Sequence, residues 1–306
     1  MLARGMAVGS RRNGVYGGWT RAGKSRIFVR VPAELKERAE HSNEFSGNWD
    51  APELAVTPIV LVHGLSSSRT LKPLIRALGT RRPVYAPDLP GFGMSDQPLH
   101  RLDVPGLAKA LRRWLFDNDL APAIVVGVSF GCQVAVDLAV HQPAAVDRLV
   151  LVGPTFDPKA RSTSRVALRW ARNAPHWSPR LAPTVVHDLI DAGPWRTVRT
   201  FREALRDRVE RKLSRVEAPT LVVRPERDHL VPEAWTERVA ELIPDSELVV
   251  LPKAGHSIRP RTAARLTALL APFLSDGEDA FESEEEPGTE ARPTENFRKA
   301  FEPAPR

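Results

Sequence analysis

The feature of this 306-residue sequence that most restricts its fold is an alternation of short apolar segments with longer amphipathic ones. Apolar runs predict strands at 25–32, 58–63, 83–88, 123–128, 147–153, 219–224 and 247–252. Apolar residues at helical spacing predict helices at 71–78, 102–118, 130–141, 232–243 and 261–274. Buried strands separated by helices indicate an α/β fold with a mostly parallel sheet and helices on both faces.

The alternation is interrupted once, and both ends of the chain differ from the rest in composition. Residues 154–218 contain no apolar strand and are rich in Arg, Trp and Pro, which predicts helices and loops inserted on one side of the sheet, between core segments 25–153 and 219–274. Residues 1–24 are predicted to be a flexible basic leader. Residues 275–306 are predicted to be an acidic, disordered tail.

Charge and composition exclude several classes of protein. The net charge is +7, and the tail carries −6, so the other residues carry +13. No nucleic-acid recognition motif accompanies this basic body, so we expect no nucleic-acid partner. No apolar run approaches the ~20 residues that span a bilayer. A single cysteine, Cys132, excludes an intrachain disulfide, and the first residues lack an apolar signal segment, which favours a cytoplasmic location.

Three residues that together can support nucleophilic catalysis follow predicted strands in the order Ser129, Asp228, His256. In an open parallel sheet, functional groups gather at the carboxyl ends of the strands. A serine hydroxyl needs a base to take its proton, an imidazole suits that task near neutral pH, and a carboxylate holds the imidazole in one tautomer. We therefore predict a nucleophile, a base and an orienting acid at one edge of the sheet.

The serine lies in GVSFG, a G-x-S-x-G pattern at a predicted strand–helix junction. Such a turn exposes the serine while its glycines leave room for close neighbours. Backbone N–H groups of Phe130 and Leu65 are predicted to stabilise the oxyanion that forms on attack. His63 is predicted to shape the oxyanion loop. The serines at 66–68 are expected to cap the next helix, and Ser66 is also a candidate pocket residue.

Each assignment has a structural alternative. Ser129 could be a small residue that lets a helix pack closely on a strand. Asp228 could cap a turn, as Asp often does, and His256 could be an ordinary core or surface histidine. Cys132, three residues after the serine, is expected to be a small buried apolar residue.

The chain resembles the alpha/beta-hydrolase family, in particular its capped esterases, lactonases and carbon–carbon bond hydrolases. The segments VLVHGLSSS, APDLPGFGMSD, VVGVSFG, LVVRPERDHLVP and LPKAGHS lie where that family has its oxyanion loop, the following loop, the nucleophile elbow, the acid and the histidine. The resemblance covers residues 58–274 apart from the insertion. It implies an eight-stranded, mostly parallel sheet with a helical cap between the sixth and seventh strands.

The resemblance also adds an alternative acid and three departures. Some relatives carry the acid after an earlier strand, which makes Asp157 the alternative to Asp228. Cys132 stands where a second glycine is common, and Pro225 and His229 replace a frequent Gly and Pro near the acid. None of these changes removes a catalytic group.

The leading functional prediction is a serine hydrolase that cleaves a small apolar ester, lactone or related carbonyl compound through an acyl-enzyme, without cofactor or metal. The alternatives are a carbon–carbon bond hydrolase of a dienoate ring-cleavage product and a non-catalytic binding protein or receptor on the same scaffold. Trp170, Trp177 and Trp195 of the insertion are candidate pocket residues for a small-molecule substrate. The sequence does not predict the oligomeric state.

Overall fold

The computed structural model describes residues 14–33, 35, 56–100, 102–155, 157–158, 161, 168–169 and 194–275. The strands are β1 Val15–Ala22, β2 Ser25–Pro32, β3 Ile59–Val62, β4 Val84–Pro87, β5 Ala123–Val128, β6 Val146–Val152, β7 Thr220–Pro225 and β8 Ser246–Leu251. The α-helices are α1 Lys72–Gly79, α2 Val104–Asp117, α3 Gly131–His141, α4 Pro194–Arg206, α5 Glu233–Leu242 and α6 Pro260–Leu274. Short 3-10 turns occupy Ser68–Leu71, Pro143–Ala145, Val209–Arg211 and Leu213–Arg215.

The strands form one eight-stranded sheet in the order β1-β2-β4-β3-β5-β6-β7-β8. Strands β3 to β8 pair in parallel, whereas β1 and β2 add an antiparallel edge. The predicted α/β architecture is therefore confirmed, and the carboxyl ends of β3 to β8 share one edge of the sheet, where the predicted site residues follow them.

The prediction of a flexible leader over residues 1–24 is wrong for its last part. Val15–Ala22 form β1, which pairs with β2 along its whole length, from Val15 opposite Pro32 to Ala22 opposite Ser25. Gly23 turns the hairpin at a positive φ of 59°, a conformation that glycine adopts without steric cost. The glycine-rich start of this strand weakened the apolar signal. Residues 1–13 lie outside the described residues.

The sheet is covered on both faces, and alternate residues of its central strands enter different cores. On β5, Ile124 and Val126 join the core that holds α1 and α6, while Val125 joins the core that holds α2, α3 and α5. All six residues of β5 are buried. This two-sided burial explains why the strand reads as a continuous apolar run.

The predicted insertion leaves the sheet after β6 and returns to it at β7. Its described part includes α4 and the two 3-10 turns that follow, and Ala204 and Leu205 are buried. The indole N–H of Trp235 on α5 donates to the carbonyl of Pro154 at 3.1 Å, which fixes the start of the insertion. Within the part of the chain that the structure describes, no helix is long and apolar enough to cross a membrane. The predicted tail beyond Ser275 lies outside that part.

Candidate active site

Ser129 occupies a strained turn between β5 and α3. Its φ is +57°, a left-handed conformation that a residue with a side chain rarely adopts and that costs about 1–3 kcal/mol. Two backbone bonds hold it there: the Ser129 N–H donates to the carbonyl of Val152 at 2.9 Å, and the Cys132 N–H donates to the carbonyl of Ser129 at 3.0 Å. The surroundings thus impose a backbone geometry that presents the hydroxyl at the sheet edge.

Two glycines of GVSFG are required by close contacts. A Cβ on Gly127 would lie 2.8 Å from the Cα of Cys132, and a Cβ on Gly131 would lie 2.2 Å from the carbonyl oxygen of Val62. Both distances are far below van der Waals contact with backbone that has little freedom to move. The small residues therefore serve close packing and the sharp turn together.

The structure brings Ser129, His256 and Asp228 into one hydrogen-bonded line. The Ser129 hydroxyl lies 2.9 Å from Nε2 of His256, and Nδ1 of His256 lies 2.6 Å from Oδ2 of Asp228. With Asp228 ionised, Nδ1 carries the proton, and the unprotonated Nε2 accepts from the serine. The arrangement can take a proton from Ser129 and hold the resulting imidazolium beside a carboxylate.

Asp228 is held firmly on the side away from the histidine. Its side chain has no exposed surface, and its Oδ1 accepts the Leu230 N–H at 2.9 Å. Gly153, at the end of β6, leaves room for the carboxylate, since a Cβ there would lie 3.2 Å from Oδ2. These contacts fix the orientation of the carboxylate, which in turn fixes the imidazole.

The two predicted oxyanion donors lie beside this line. Phe130 precedes α3 directly, and Leu65 follows Gly64, whose added Cβ would lie 3.4 Å from Cβ of Ser129. Among the described residues, no acceptor is recorded for the N–H of Leu65 or of Phe130. Phe130 lies at the N-terminus of α3, where backbone N–H groups have no partner within the helix. Leu65 lies in the loop before the 3-10 turn, so both N–H groups are available to donate to an oxyanion next to Ser129.

His63 uses both ring nitrogens within the protein, in agreement with its predicted structural role. Nε2 accepts the Leu89 N–H at 2.9 Å, so Nδ1 carries the proton and donates to the Gly64 carbonyl at 2.7 Å. In a trans peptide the carbonyl and the following N–H point in opposite directions. Holding the Gly64 carbonyl on His63 therefore turns the Leu65 N–H away from the ring.

The alternative acid does not pair with the histidine. Asp157 is buried, and its Oδ2 accepts from Nη2 of Arg169 at 2.9 Å, while Nδ1 of His256 is engaged by Asp228. Its position in the chain, past the end of β6, made it a candidate, but it instead forms an ion pair within the insertion.

The remaining predicted pocket residues are only partly described. The hydroxyl of Ser66 is half-buried and lies 3.2 Å from that of Thr70. Of the three consecutive serines, Ser67 caps the following 3-10 turn through the Arg69 N–H at 3.3 Å. Trp170 and Trp177 lie outside the described residues, and for Trp195 the structure describes only the backbone of α4.

The comparison with known proteins agrees with this geometry. The sequence model of the alpha/beta hydrolase family matches residues 59–269, more than two thirds of the chain. The chain belongs to the alpha/beta hydrolase family.

Individual relatives of this alpha/beta hydrolase are distant. It is 28% identical over 71% of its length to the dihydrolipoyllysine-residue acetyltransferase component of an acetoin cleaving system from Pseudomonas putida, and the match spans only 63% of that protein. It is 26% identical over 73% of its length, and 88% of the relative, to 2-hydroxymuconate semialdehyde hydrolase from Pseudomonas sp. strain CF600. A thermophilic esterase from Thermogutta terrifontis shares the fold, with a TM-score of 0.60 and 24% identity over 71% of this chain and 89% of the esterase.

A cluster beneath the loop after β3 contains residues that sequence reasoning missed. We call Arg30, Ser68 and Asp88 the oxyanion-loop cluster. Arg30 and Asp88 are almost fully buried, and Nη1 of Arg30 donates to both carboxylate oxygens at 2.9 and 3.0 Å. Burial alone raises the pKa of the Asp88 carboxyl, but the Arg30 charge and the hydrogen bonds from Ser68 and Met94 bring the net pKa below its usual value. The sequence offered one signal, the charge of Arg30 among the apolar residues of the segment that forms β2.

A second cluster, also unforeseen, fastens the insertion to α3. We call Asp137, Asp207 and Lys212 the cap cluster. Nζ of Lys212 donates to Oδ2 of Asp137 and to Oδ1 of Asp207, both at 2.5 Å. Nε2 of Gln133, on the same helix, donates to Oδ2 of Asp207 at 3.2 Å and to the carbonyl of Ala204 at 3.0 Å.

One ammonium shared by two carboxylates leaves the cap cluster with an excess negative charge. Burial, opposed by Lys212 and reinforced by Asp137, raises the pKa of Asp207. Burial alone would lower the pKa of Lys212, yet the two carboxylates raise it overall. Lys212 is therefore stabilised as a cation, whereas Asp207 is held as an anion only at a cost.

The cysteine behind the serine is buried, as predicted. Cys132 is buried, and its thiol donates to the Gly127 carbonyl at 3.2 Å. Burial raises the pKa of this thiol well above its ordinary value, so the reactive thiolate is disfavoured. Among the described residues, no group of three or more His, Cys, Asp or Glu side chains is arranged to hold a metal ion.

Proposed function

We propose that this protein is a serine hydrolase that cleaves a small apolar ester, lactone or related carbonyl compound. The observation that carries the proposal is the line from the strained Ser129 through His256 to the buried Asp228, with contacts of 2.9 and 2.6 Å. A serine with a positive φ, held within reach of an oriented imidazole, matches the requirements for an activated nucleophile.

In the proposed reaction, the Ser129 oxygen forms a bond to the substrate carbonyl carbon while Nε2 of His256 takes the hydroxyl proton. The carbonyl oxygen becomes an oxyanion that accepts from the N–H groups of Leu65 and Phe130. Collapse of this intermediate breaks the bond to the leaving group, which receives the proton from His256. The product of this half-reaction is an acyl ester on Ser129.

Water completes the cycle by the same path. His256 takes a proton from the water molecule while the water oxygen attacks the acyl carbon. The second tetrahedral intermediate then expels the Ser129 oxygen, which regains a proton from His256. Asp228 stays ionised throughout and stabilises the imidazolium in both steps. These two half-reactions use only protein groups, substrate and water, so the proposed mechanism includes no cofactor or metal.

A fluorophosphonate probe tests the proposal directly, because it phosphonylates an activated serine and loses fluoride. We expect stoichiometric labelling of wild type, none of Ser129→Ala and normal labelling of Cys132→Ala. Heat-denatured wild type is the control for nonspecific reaction. Folded wild type that does not label would contradict the proposal and favour a non-catalytic binding protein on this scaffold.

A carbon–carbon bond hydrolase is the second candidate, favoured by the 26% identity to 2-hydroxymuconate semialdehyde hydrolase over 88% of that enzyme. Both candidates use the same three residues, so labelling does not separate them. Comparing kcat/KM for p-nitrophenyl esters, lactones and a dienoate ring-cleavage product does: a preference for the dienoate of more than about tenfold, or 1.4 kcal/mol, would select this alternative.

Location and partners remain predictions that rest on the sequence. The single cysteine favours a reducing cytoplasm, and cell fractionation with an antibody to the native protein tests this. We expect a small-molecule substrate and no nucleic acid. A nucleic-acid band shift at physiological salt checks the second expectation.

A further inference from the structure

The oxyanion-loop cluster contains a charged pair that the proposed chemical steps do not use. Arg30 lies on β2 with 4% of its surface exposed, and Asp88 follows β4 with none exposed. Two charges removed from water gain little net stability, because the loss of hydration offsets their attraction. Stability alone is therefore a weak explanation for this pair, and its other contacts indicate a more specific role.

Asp88 ties together the loops that follow two strands, the β3 loop (63–68) and the β4 loop (88–96). Its Oδ1 accepts from the backbone N–H of Ser68 at 2.8 Å and from the Ser68 hydroxyl at 2.6 Å. Its Oδ2 accepts the Met94 N–H at 3.0 Å. Arg30 also donates to the Ser68 oxygen. One carboxylate thus fixes the end of the β3 loop against the β4 loop.

The Asp88 carboxylate packs closely against Gly93 of the β4 loop. Gly93 has a positive φ of 50°, and a Cβ there would lie 2.2 Å from Oδ2 of Asp88. The loop can therefore close over the carboxylate only because this residue is glycine. Such close packing restricts the positions that the carboxylate can take.

The β3 loop is held at its start as well as at its end. His63 fixes the carbonyl of Gly64 and is itself bound to the Leu89 N–H of the β4 loop. Leu65, whose N–H is one proposed oxyanion donor, lies between this anchor and Ser68. Both anchors lead to the β4 loop, and the second depends on the ion pair.

We propose that the Arg30–Asp88 pair positions the Leu65 N–H for the oxyanion, so that both are positioning residues of the reaction; this rests on the proposed function. The pair touches no reacting atom and acts through Ser68 and the backbone of the β3 loop. A misplacement of about 1 Å in such a site can cost ~10²-fold in rate. The donor must meet the oxyanion at hydrogen-bond distance, so a small loop shift has a large effect on kcat.

The decisive variant is the double substitution R30M/D88L, which removes both charges and leaves no unpaired ion. We expect it to stay folded but to react with the fluorophosphonate about 10–100-fold more slowly, in proportion to the loss of kcat on a p-nitrophenyl ester. KM should change less than kcat. Binding of a trifluoromethyl ketone, whose adduct carries the same oxyanion, should weaken in parallel.

Hydrogen exchange gives a readout that does not depend on activity. In R30M/D88L we expect faster amide exchange in residues 63–71, because the Ser68 N–H loses its acceptor. The matched control is Asp96→Asn, which neutralises a different carboxylate of the β4 loop, also paired to an arginine of β2 but exposed. This control should match wild type in labelling rate and in exchange of residues 63–71.

Two further variants address folding and charge. S68A keeps the ion pair and removes one hydroxyl, and we expect slower labelling with a smaller loss than in R30M/D88L. R30K retains a cation, so it should label faster than R30M. If R30M/D88L does not fold, a wild-type labelling rate in S68A together with equal rates in R30K and R30M would overturn the proposal.

The outcomes separate this proposal from the proposed function. Wild type that does not label overturns the hydrolase assignment itself. Labelling of folded R30M/D88L at the wild-type rate, or unchanged exchange in residues 63–71, overturns only the positioning role. A loss of stability with normal rates among the folded molecules would show that the pair serves the fold alone.

Discussion

The two buried charged clusters, the oxyanion-loop cluster and the cap cluster, compensate their charges in different ways. The oxyanion-loop cluster pairs one guanidinium with one carboxylate, and further hydrogen bonds satisfy both oxygens of Asp88. The cap cluster gives one ammonium to two carboxylates, with side-chain exposures of 16%, 3% and 7% for Lys212, Asp137 and Asp207. The first is balanced, whereas the second has an excess negative charge.

The difference follows from what each cluster connects. The oxyanion-loop cluster joins β2 to two core loops, where a fixed geometry is needed beside Ser129. The cap cluster joins the insertion to α3, the helix that begins directly after the turn that holds Ser129. A charge-balanced pair suits permanent positioning, whereas a shared ammonium makes the charged part of the insertion's attachment depend on one lysine. We therefore expect the first cluster to control kcat and the second to control KM.

The largest expected effect comes from breaking the balanced pair on one side only. Asp88→Asn leaves the buried Arg30 without its counter-ion, which should lower the free energy of unfolding by about 3–5 kcal/mol. Urea unfolding measures this loss. R30M/D88L should recover most of the lost stability, since replacing both ions removes the unpaired charge. A D88N protein as stable as wild type would contradict the comparison.

Removing the shared ammonium should have the next largest effect. In K212M, Asp137 and Asp207 lose the ammonium that they share, while Asp137 keeps the His141 imidazole at 3.2 Å. We expect the free energy of unfolding to fall by about 1–3 kcal/mol, the cost of leaving a buried polar group unsatisfied. KM for an ester should rise severalfold while kcat stays near wild type, because the insertion loses its charged attachment to α3, although the hydrogen bonds from Gln133 persist. Steady-state kinetics and urea unfolding provide both readouts.

The control for this variant is Asp137→Asn in the K212M background. It removes the repulsion between the two carboxylates and should restore part of the stability. Were kcat to fall more than KM rises in K212M, the division of roles between the clusters would be wrong.

The two clusters should also lose their contributions to folding stability at opposite ends of the pH scale. The pKa of Asp88 is lowered in the folded protein, so its contribution is present above the unfolded value of about 4 and is lost as pH falls through the folded value. The pKa of Lys212 is raised, so its contribution is full below the unfolded value of about 10.4 and is lost as pH rises through the folded value.

Melting temperature against pH tests this contrast. Relative to wild type, R30M/D88L should lose less stability on acidification, and K212M should lose less on alkalinisation. The raised pKa of Asp207 has the opposite effect to the lowered pKa of Asp88. Because burial disfavours the Asp207 anion, its ionisation lowers stability as pH rises, and its protonation restores that stability on acidification. Curves for all three proteins that remain parallel at both extremes would contradict the assignment.

The smallest expected effect is at the exposed ion pair of the same loop. Asp96→Asn removes a partner of Arg26, whose side chain is 63% exposed, and such surface pairs contribute about 0–1 kcal/mol. We expect unfolding and kcat within error of wild type. A large loss in kcat would show that the β4 loop as a whole, rather than Asp88, controls the site.

The parts of the fold that the sequence predicted are those with a periodic or positional signal. The buried strand β5 was predicted at its observed limits, 123–128, because two-sided burial makes it uniformly apolar. Strand β1 was missed, since its glycines and half-exposed positions weaken that pattern. The predicted alignment of Ser129, Asp228 and His256 at one sheet edge follows from parallel topology alone.

The two charged clusters could not be predicted in the same way. Apart from Asp207 and Lys212, which are five positions apart, the paired members are 20 to 75 positions apart in the chain, and pairing at that distance leaves no periodic trace. An isolated charge in a strand, such as Arg30, indicates only that some partner exists. Which carboxylate supplies it depends on how loops pack, and the choice of Asp228 over Asp157 depended on packing in the same way.

The most direct test of the account is to find the atom that carries the acyl group during turnover. Wild-type protein is mixed with excess p-nitrophenyl butyrate, quenched in acid within milliseconds and digested for peptide mass analysis. We predict a burst of one p-nitrophenolate per active site and a butyryl group on Ser129, with neither in Ser129→Ala. A burst in Ser129→Ala, or turnover of wild type with the acyl group on another residue, would contradict the account.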